Sequence, residues 1–248
     1  MTMPLLIALL LPLVAARALA ADDVTALLQA ADRFRSGADA LQVETLVTTL
    51  GRDGRPDKER RYTVFTQPRR RSLVLMRSPA EAGQKVLMLG DDFWLLLPGS
   101  QRPLRITASQ KLLGDAATGD IATMNWADDY QGTVGADGPC PAPDEARSCR
   151  RLRLAATRKG VSYARIELWI GQARSEPVAA ELYVQSDRLA KRARFVLDPA
   201  GRQVDEMVLL DALAGHRETR VRYLSRMPRT VPEAWLNPMF LARNPVME

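Results

Sequence analysis

This chain of 248 residues has one histidine and two cysteines, which excludes most catalytic and metal sites that depend on histidine. Its single histidine, His216, follows Gly215 and precedes Arg217 and Glu218, and this polar, turn-like setting indicates a solvated position. A Ser-His-Asp triad would need that histidine, and the chain has no G-x-S-x-G signature to support one. We therefore expect no catalytic residue, and we do not expect the chain to be an enzyme.

Acidic residues offer another route to hydrolysis or to a metal site. Asp120, Asp128 and Asp129 lie close together in the sequence, but no histidine or cysteine accompanies them, and a calcium loop needs more oxygen ligands at tighter spacing. Asp120 is better explained as a helix N-cap. A glycosidase needs two suitably placed carboxylates, and no pair stands out. We expect no metal and no cofactor, and a hydrolase remains an alternative.

The first 20 residues have the pattern of a secretory signal peptide. An apolar stretch, residues 5–16, is too short to span a bilayer and is followed by the small-x-small sequence Ala18-Leu19-Ala20. A basic residue, Arg17, follows the apolar stretch instead of preceding it, and a buried N-terminal helix is the alternative. We expect export of a soluble protein, with residues 1–20 as the signal peptide and residues 21–248 as one domain.

Two cysteines, Cys140 and Cys149, flank a proline-rich loop. The loop connects a strand that ends near Val134 to one that starts near Arg150. Export carries this even number of cysteines into an oxidising compartment, which favours a disulfide. Redox chemistry usually needs a C-x-x-C spacing, whereas eight residues intervene here. The sequence therefore predicts a structural disulfide at the base of a hairpin loop.

The chain is basic, with 35 Lys and Arg against 29 Asp and Glu and a net charge of +6. Nearly all of the basic residues are arginines, and they are spread along every segment. That spread and the signal peptide argue against nucleic acid as a partner. The charge favours weak attraction to anionic headgroups or to an acidic partner, or it marks a solvated outer face of a sheet.

The hydrophobic pattern changes period along the chain. Apolar residues at helical spacing predict a helix over residues 23–36 that ends at Gly37, and alternation of period two follows. We count about a dozen strands joined by short turns, interrupted by an excursion at residues 108–129 with one or two helical turns. The strand at residues 93–97 is apolar on both faces, so both faces should be covered. The proline-rich tail from Met227 should be irregular.

These elements predict a single, mainly β domain with an antiparallel meander and a few helices. A highly curved sheet of roughly eleven strands encloses more volume than its own side chains fill, so a helix or a ligand must occupy the inside. The alternative for every inward-facing residue is ordinary core packing. The apolar candidates for a cavity lining are Val43, Val64, Leu75, Leu87, Trp94, Leu96, Ile166, Leu168, Leu182 and Phe195.

Several segments carry a resemblance to a known family. The stretches Pro79–Leu87, Trp94–Pro98, Arg102–Ile106, Gly119–Ala122 and Trp126–Tyr130 resemble the outer-membrane lipoprotein-sorting proteins, a family related in fold to the periplasmic lipoprotein carrier LolA. The similarity runs from about residue 35 to the end. It implies an incompletely closed antiparallel β-barrel wrapped around helices, with an apolar cavity for acyl chains.

The resemblance also implies a function and a location. It implies a periplasmic carrier that binds the acyl chains of lipids or lipoproteins and supports outer-membrane lipoprotein sorting or lipid transport. An inner-membrane transporter and an outer-membrane acceptor are the partners that such a role admits, and nucleic acid is not among them. A periplasmic lipid-sensing regulatory module of the same fold is the alternative.

Two further sets of residues are candidates for handling a lipid. Arg102 and Arg105 flank a proline where a strand leaves a turn and could contact a lipid phosphate, since guanidinium matches phosphate geometry; solvated, outward-facing arginines are the alternative. The excursion at residues 108–129 is predicted to form a lid that shifts when an acyl chain enters. The alternative is that its apolar residues belong to the core. The lid residues are Leu112, Leu113, Ile121, Met124 and Trp126.

Overall fold

The computed structural model describes residues 21–37, 39–106, 125–213, 217–243 and 245 of the chain. The predicted signal peptide and His216 lie outside the described residues. Two α-helices are described, α1 (Ala21–Arg35) and the single-turn α2 (Trp126–Asp129). Neither of these described helices combines the length and apolar character needed to cross a bilayer.

Strands make up most of the described chain. In order they are β1 (Leu41–Leu50), β2 (Pro56–Gln67), β3 (Arg71–Met76), β4 (Lys85–Leu89), β5 (Asp92–Leu96), β6 (Leu104–Ile106), β7 (Tyr130–Pro139), β8 (Ser148–Ala156), β9 (Arg165–Gly171), β10 (Pro177–Tyr183), β11 (Leu189–Leu197), β12 (Val204–Asp211) and β13 (Glu218–Pro228). Three short 3₁₀ turns cover Pro79–Glu81, Glu233–Leu236 and Pro238–Phe240.

All 13 described strands form one antiparallel sheet in the order β6-β5-β4-β3-β2-β1-β13-β12-β11-β10-β9-β8-β7. The first strand, β1, lies in the middle of the sheet, and the strands that follow it meander outward to β6 at one edge. Residues 107–129 then lead to β7 at the opposite edge, and a second meander returns to β13, which pairs with β1. Among the described strands β6 and β7 are unpaired edges, so the predicted antiparallel, mainly β and unclosed sheet is confirmed.

Strand alternation gives this sheet two different faces. Val43, Val64, Val74 and Val86 stand opposite one another on four neighbouring strands, and because paired residues share a face, they define what we call the inner face. The opposite side, the outer face, carries the row of Phe65, Leu73, Leu87 and Trp94 on β2 to β5.

Helix α1 packs on the inner face of the β7–β13 half. Val24, Leu28 and Ala31 recur at three- and four-residue spacing and are almost fully buried. They form one cluster with strand side chains and with Trp126 of α2. The helix predicted over residues 23–36 is therefore confirmed with slightly earlier bounds. That the sheet wraps around helices stays a prediction, because most of the second predicted plug lies outside the described residues.

The C-terminal segment covers the outer face of β2 to β5. Val231, Leu236 and Leu241 are buried against the leucines and phenylalanine of that face. Buried Lys85 on β4 donates hydrogen bonds from Nζ to the carbonyl oxygens of Leu241 (3.1 Å) and Pro245 (2.7 Å). Burial lowers the pKa of this lysine. The tail has the irregular path that its prolines predict, but it is a packed layer, which the sequence did not indicate.

The strand that is apolar on both faces is β5. Phe93 joins the inner-face cluster, and Leu96 lies under the C-terminal segment on the outer face. The prediction that both faces of this strand are covered is confirmed.

The predicted disulfide is also confirmed. Cys140 and Cys149 are bonded, with their Cα atoms 4.9 Å apart, where β7 and β8 meet their connecting loop. Both are buried and pack with Val178 beside the half-buried Trp169. The bridge therefore fixes the proline-rich loop to the sheet.

Replacing both Cys140 and Cys149 with serine is expected to lower the free energy of unfolding by roughly 2.5–3 kcal/mol. The loss follows because the unfolded chain regains the freedom of the loop that the bridge closes. Chemical denaturation of the variant and of the wild type measures it. Thiol titration of the wild type purified without reductant should find no free thiol, and two free thiols would contradict the structural role.

Candidate functional site

A cavity of about 360 Å³ lies between the C-terminal end of α1 and the inner face of β1 to β4. This volume falls within the range of small-molecule sites, roughly 300–1,000 Å³. The lining residues are Asp32, Arg35, Ser36, Asp39, Leu41, Val43, Val64, Thr66, Gln67, Pro68, Arg69, Arg70, Arg71, Met88, Asn125, Asp128, Tyr223 and Arg226.

The floor of the cavity is apolar because strand register collects apolar side chains there. Leu41, Val43, Val64 and Met88 lie on the inner face of β1, β2 and β4, with Tyr223 on β13 beside them. These residues, except for the partly buried Tyr223, belong to a cluster of seven buried side chains. Within the described part of the chain, only strands contribute to this cluster, whereas helix α1 covers the neighbouring half of the sheet.

The rim of the cavity is rich in arginine. Arg35 comes from the last turn of α1 and Arg226 from β13. Arg69 and Arg70 lie in the turn between β2 and β3, and Arg71 is the first residue of β3. Arg69 and Arg70 have positive φ angles of 62° and 56°, a backbone conformation that tightens this turn. An apolar floor under a cationic rim suits an amphiphilic ligand.

A network of contacts fixes Arg35 at the cavity wall. Its Nη1 donates to Asp32 Oδ1 at 3.0 Å, and its guanidinium lies over the Trp126 ring, 4.1 Å from the centroid. The other carboxylate oxygen of Asp32 accepts from the backbone N–H of Ala127 at 3.0 Å. Burial raises the pKa of Asp32, against the opposing effect of the Arg35 charge. Asp32 thus holds α2 and Arg35 together.

Arg226 forms the facing part of the wall. Its guanidinium lies over the Tyr223 ring, 4.4 Å from the centroid, and its Nη2 donates to the carbonyl oxygen of Val204. Burial lowers its pKa, and the like charge of Arg35 acts in the same direction. The buried Nε of Arg226 has no hydrogen-bond partner among the described residues. One strong donor at the cavity is therefore unused.

Arg70 joins the two halves of the sheet at one end. It forms an ion pair with Asp129, at the end of α2, in which the side chains are 9% and 4% exposed. Its Nη2 also lies 3.3 Å from Oδ1 of the half-exposed Asp91. Burial lowers the pKa of Arg70, and the charge of Arg158 adds to that effect. The turn that carries the rim arginines is therefore tied to the start of β7.

The ten residues predicted to line a cavity divide among three places. Val43 and Val64 line the cavity described above. The other eight lie elsewhere for two reasons: strand register turns four of them to the outer face, and helix α1 covers the other four on the inner face. Leu75, Leu87, Trp94 and Leu96 face outward under the C-terminal segment, and Ile166, Leu168, Leu182 and Phe195 lie in the inner cluster with α1.

The predicted headgroup arginines lie away from the cavity. Arg102 is exposed in the turn before β6, and Arg105, opposite Trp94 on the outer face, forms an exposed ion pair with Asp92. The arginines of the cavity rim were not predicted from the sequence. For three of them the run of arginines after Pro68 was a sequence feature that could have indicated the rim, whereas no feature of the sequence marks Arg226.

Most of the predicted lid lies outside the described residues. That applies to Leu112, Leu113, Ile121 and Met124. Trp126 is described and is fully buried, with its ring edge-on to Phe195 at 5.6 Å between centroids.

Two of the acidic residues considered above, Asp128 and Asp129, have structural partners. Asp128 accepts from the side chain of Asn125 at 3.0 Å, and Asp129 is paired with Arg70. Asp120 lies outside the described residues. Among the residues that are described, no three His, Cys, Asp or Glu side chains are grouped as metal ligands.

A protein-family model described as "Uncharacterized protein" matches residues 68–243, which is more than half of the chain. The chain belongs to this family. No curated protein matches the chain.

Solved structures extend the comparison for this family member. A LolA superfamily protein from Nitrosomonas europaea is 28% identical, with a TM-score of 0.75, over 89% of this chain and 98% of that one. A DUF1329 family protein from Desulfovibrio piger is 19% identical, with a TM-score of 0.69, over 88% and 97% of the two chains. An outer membrane lipoprotein-sorting protein domain from Vibrio parahaemolyticus is 17% identical, with a TM-score of 0.70, over 90% and 100%. The LolA-like resemblance predicted from the sequence is confirmed.

Proposed function

We propose that this protein is a periplasmic carrier for amphiphiles and that it holds an acyl chain against the inner face of β1 to β4. The observation that carries the proposal is the cavity beside Leu41, Val43, Val64 and Met88, whose floor continues into an apolar cluster built from strands. The similarity to a LolA superfamily protein over most of the chain supports the same role. Lipids and lipoproteins are the cargo, delivered between a donor in the inner membrane and an acceptor in the outer membrane.

The energetics of such a carrier are those of hydrocarbon burial. Each methylene group moved from water onto the apolar floor stabilises the complex by about 0.8 kcal/mol, and the contribution grows with chain length. The protein needs no catalytic group for this role, because loading and release change the surroundings of the cargo and not its bonds.

The direct test is to purify the protein from the periplasm of a bacterium that produces it. Mass spectrometry of the extract should identify a lipid or an acylated peptide bound to the protein. If the extract contains no acyl compound and the protein turns over an ester or a glycan, the carrier proposal is wrong and the protein is a hydrolase.

Filling the cavity provides a sharper test of where the acyl chain lies. Thr66 lines the cavity, and its buried hydroxyl has no hydrogen-bond partner among the described residues. Thr66→Phe is expected to weaken binding of the neutral apolar dye N-phenyl-1-naphthylamine and of dodecyl maltoside by about ten-fold or more, because the ring occupies the space above the floor. Fluorescence titration of the dye and its displacement measure both affinities.

Thr66→Val is the matched control for this substitution. It keeps the shape of threonine and removes only the hydroxyl, so the affinities should equal or slightly exceed those of the wild type. Circular dichroism should show that both variants are folded. Equal binding by a folded Thr66→Phe variant would place the acyl site elsewhere.

A further inference from the structure

The cavity rim has more positive than negative side chains. Five arginines and three aspartates line it. Asp32 is committed to Arg35 and to the backbone of α2, and Asp128 is hydrogen-bonded to Asn125. Arg226 and Arg69 make no ion pair within the part of the chain that the structure describes. Asp205 and Asp198 act on Arg226 only from beyond ion-pair distance. The rim therefore carries two guanidinium groups, those of Arg226 and Arg69, that no described carboxylate contacts directly.

We propose that this rim binds the phosphate or another oxyanion headgroup of an anionic amphiphile, between Arg35 and Arg226, with Arg69 at the mouth. The inference rests on the proposed function, because the same ligand places its hydrocarbon on the apolar floor. It adds the chemical class of the headgroup, which the fold alone does not specify.

Strand register places the two parts of the site next to each other. Arg226 on β13 stands directly opposite Val43 on β1. A headgroup at Arg226 therefore puts the first methylene groups of its chain over Val43 and the neighbouring Val64 and Met88. Because the two residues are paired neighbours on adjacent strands, a single amphiphile reaches both.

The two wall arginines are already held in place, which reduces the entropy lost on binding. Arg226 is fixed by the Tyr223 ring and the carbonyl oxygen of Val204, and Arg35 by Asp32 and the Trp126 ring. The unpartnered Nε of Arg226 is a donor for an oxyanion. Guanidinium groups match phosphate geometry and form charge-assisted hydrogen bonds that are stronger than neutral ones.

The test compares headgroups on the same chain. Dodecyl phosphate, dodecyl maltoside and inorganic phosphate are titrated against the full exported protein by calorimetry, with the two amphiphiles below their micellar concentrations. We expect dodecyl phosphate to bind at least about ten-fold more tightly than dodecyl maltoside, because each charge-assisted hydrogen bond is worth about a factor of ten or more. Added salt should reduce this preference.

Arg226→Gln and Arg69→Gln test the assignment to the rim. Each should reduce the preference for dodecyl phosphate and leave the affinity for dodecyl maltoside within about two-fold, since the apolar floor is intact. Arg69 is exposed and has no side-chain hydrogen bond or ion pair with any described residue, so its variant reports on binding even if Arg226→Gln is poorly folded. Arg102→Gln, which removes an exposed arginine away from the cavity, should keep the wild-type preference.

The outcomes separate this proposal from the proposed function. Equal binding of dodecyl phosphate and dodecyl maltoside overturns the headgroup site while the acyl carrier stands. Binding of neither amphiphile overturns the acyl carrier itself. Inorganic phosphate that binds as tightly as dodecyl phosphate assigns the rim to free phosphate and contradicts the headgroup assignment.

Discussion

Replacing Asp129 with asparagine is expected to lower the free energy of unfolding by about 3 kcal/mol. The substitution leaves the buried guanidinium of Arg70 without its main counter-charge, and breaking a buried pair on one side costs about 3–5 kcal/mol. The lower end applies because Asp91 still lies beside Arg70. Thermal denaturation should show a decrease in Tm of roughly 6–12 °C for a domain of this size.

The second partner of the same arginine supplies the control. Asp91→Asn removes a carboxylate whose side chain is 48% exposed, so the change in unfolding free energy should stay below about 1 kcal/mol. A double variant, Arg70→Met with Asp129→Leu, should recover much of the loss, because no charge is then buried alone. If Asp129→Asn and Asp91→Asn had equal effects, the pair would not hold the two halves of the sheet together.

Replacing Leu241 with alanine is expected to destabilise the protein by about 2–5 kcal/mol. Leu241 is completely buried between the C-terminal segment and the outer face, so truncation leaves a cavity as well as losing apolar burial. The loss of packing also weakens the attachment of the carbonyl groups that Lys85 binds. Urea denaturation, and binding of a hydrophobic dye to the exposed outer face, measure the effect.

A neighbouring residue distinguishes burial from chain position. Met239 lies two residues earlier and is 83% exposed, so Met239→Ala should change the unfolding free energy by no more than about 0.5 kcal/mol. Destabilisation by Met239→Ala as large as that by Leu241→Ala would mean that the C-terminal segment is not anchored through Leu241.

Most of the strands could be predicted from alternation and turn residues, because the buried and exposed positions of a strand alternate within its own sequence. Leu41, Val43, Thr45 and Val47 alternate in sequence, and all four are buried in β1. The pairing of β1 with β13 could not be predicted in this way. Val47 pairs with Val221, and nothing in either strand identifies the other. Leu241 was missed because the tail has no regular period.

The site was harder to predict than the fold. Val43 and Val64, two of the ten candidates taken from the sequence, lie at this cavity, but alternation alone does not say which face of a strand encloses it. Arg226 was missed because a register shift between Glu44 and Thr45 on β1 decides what stands opposite this part of β13. Arg70 was missed because its buried partner is 59 positions away in the chain, across the open sheet.

The pairing of β1 with β13 has a consequence for the order of folding. Every other described ladder joins strands that follow each other in the chain, so each meander can form from local contacts. The first six strands are synthesised early, but the free edge of β1 has no partner until β13 has been made. An uncovered edge is a template for aggregation, and this one stays open until almost the whole chain is synthesised. Completion of the sheet therefore waits for the last of the described strands, and the long-range pairing of β1 with β13 is the step that joins the two meanders.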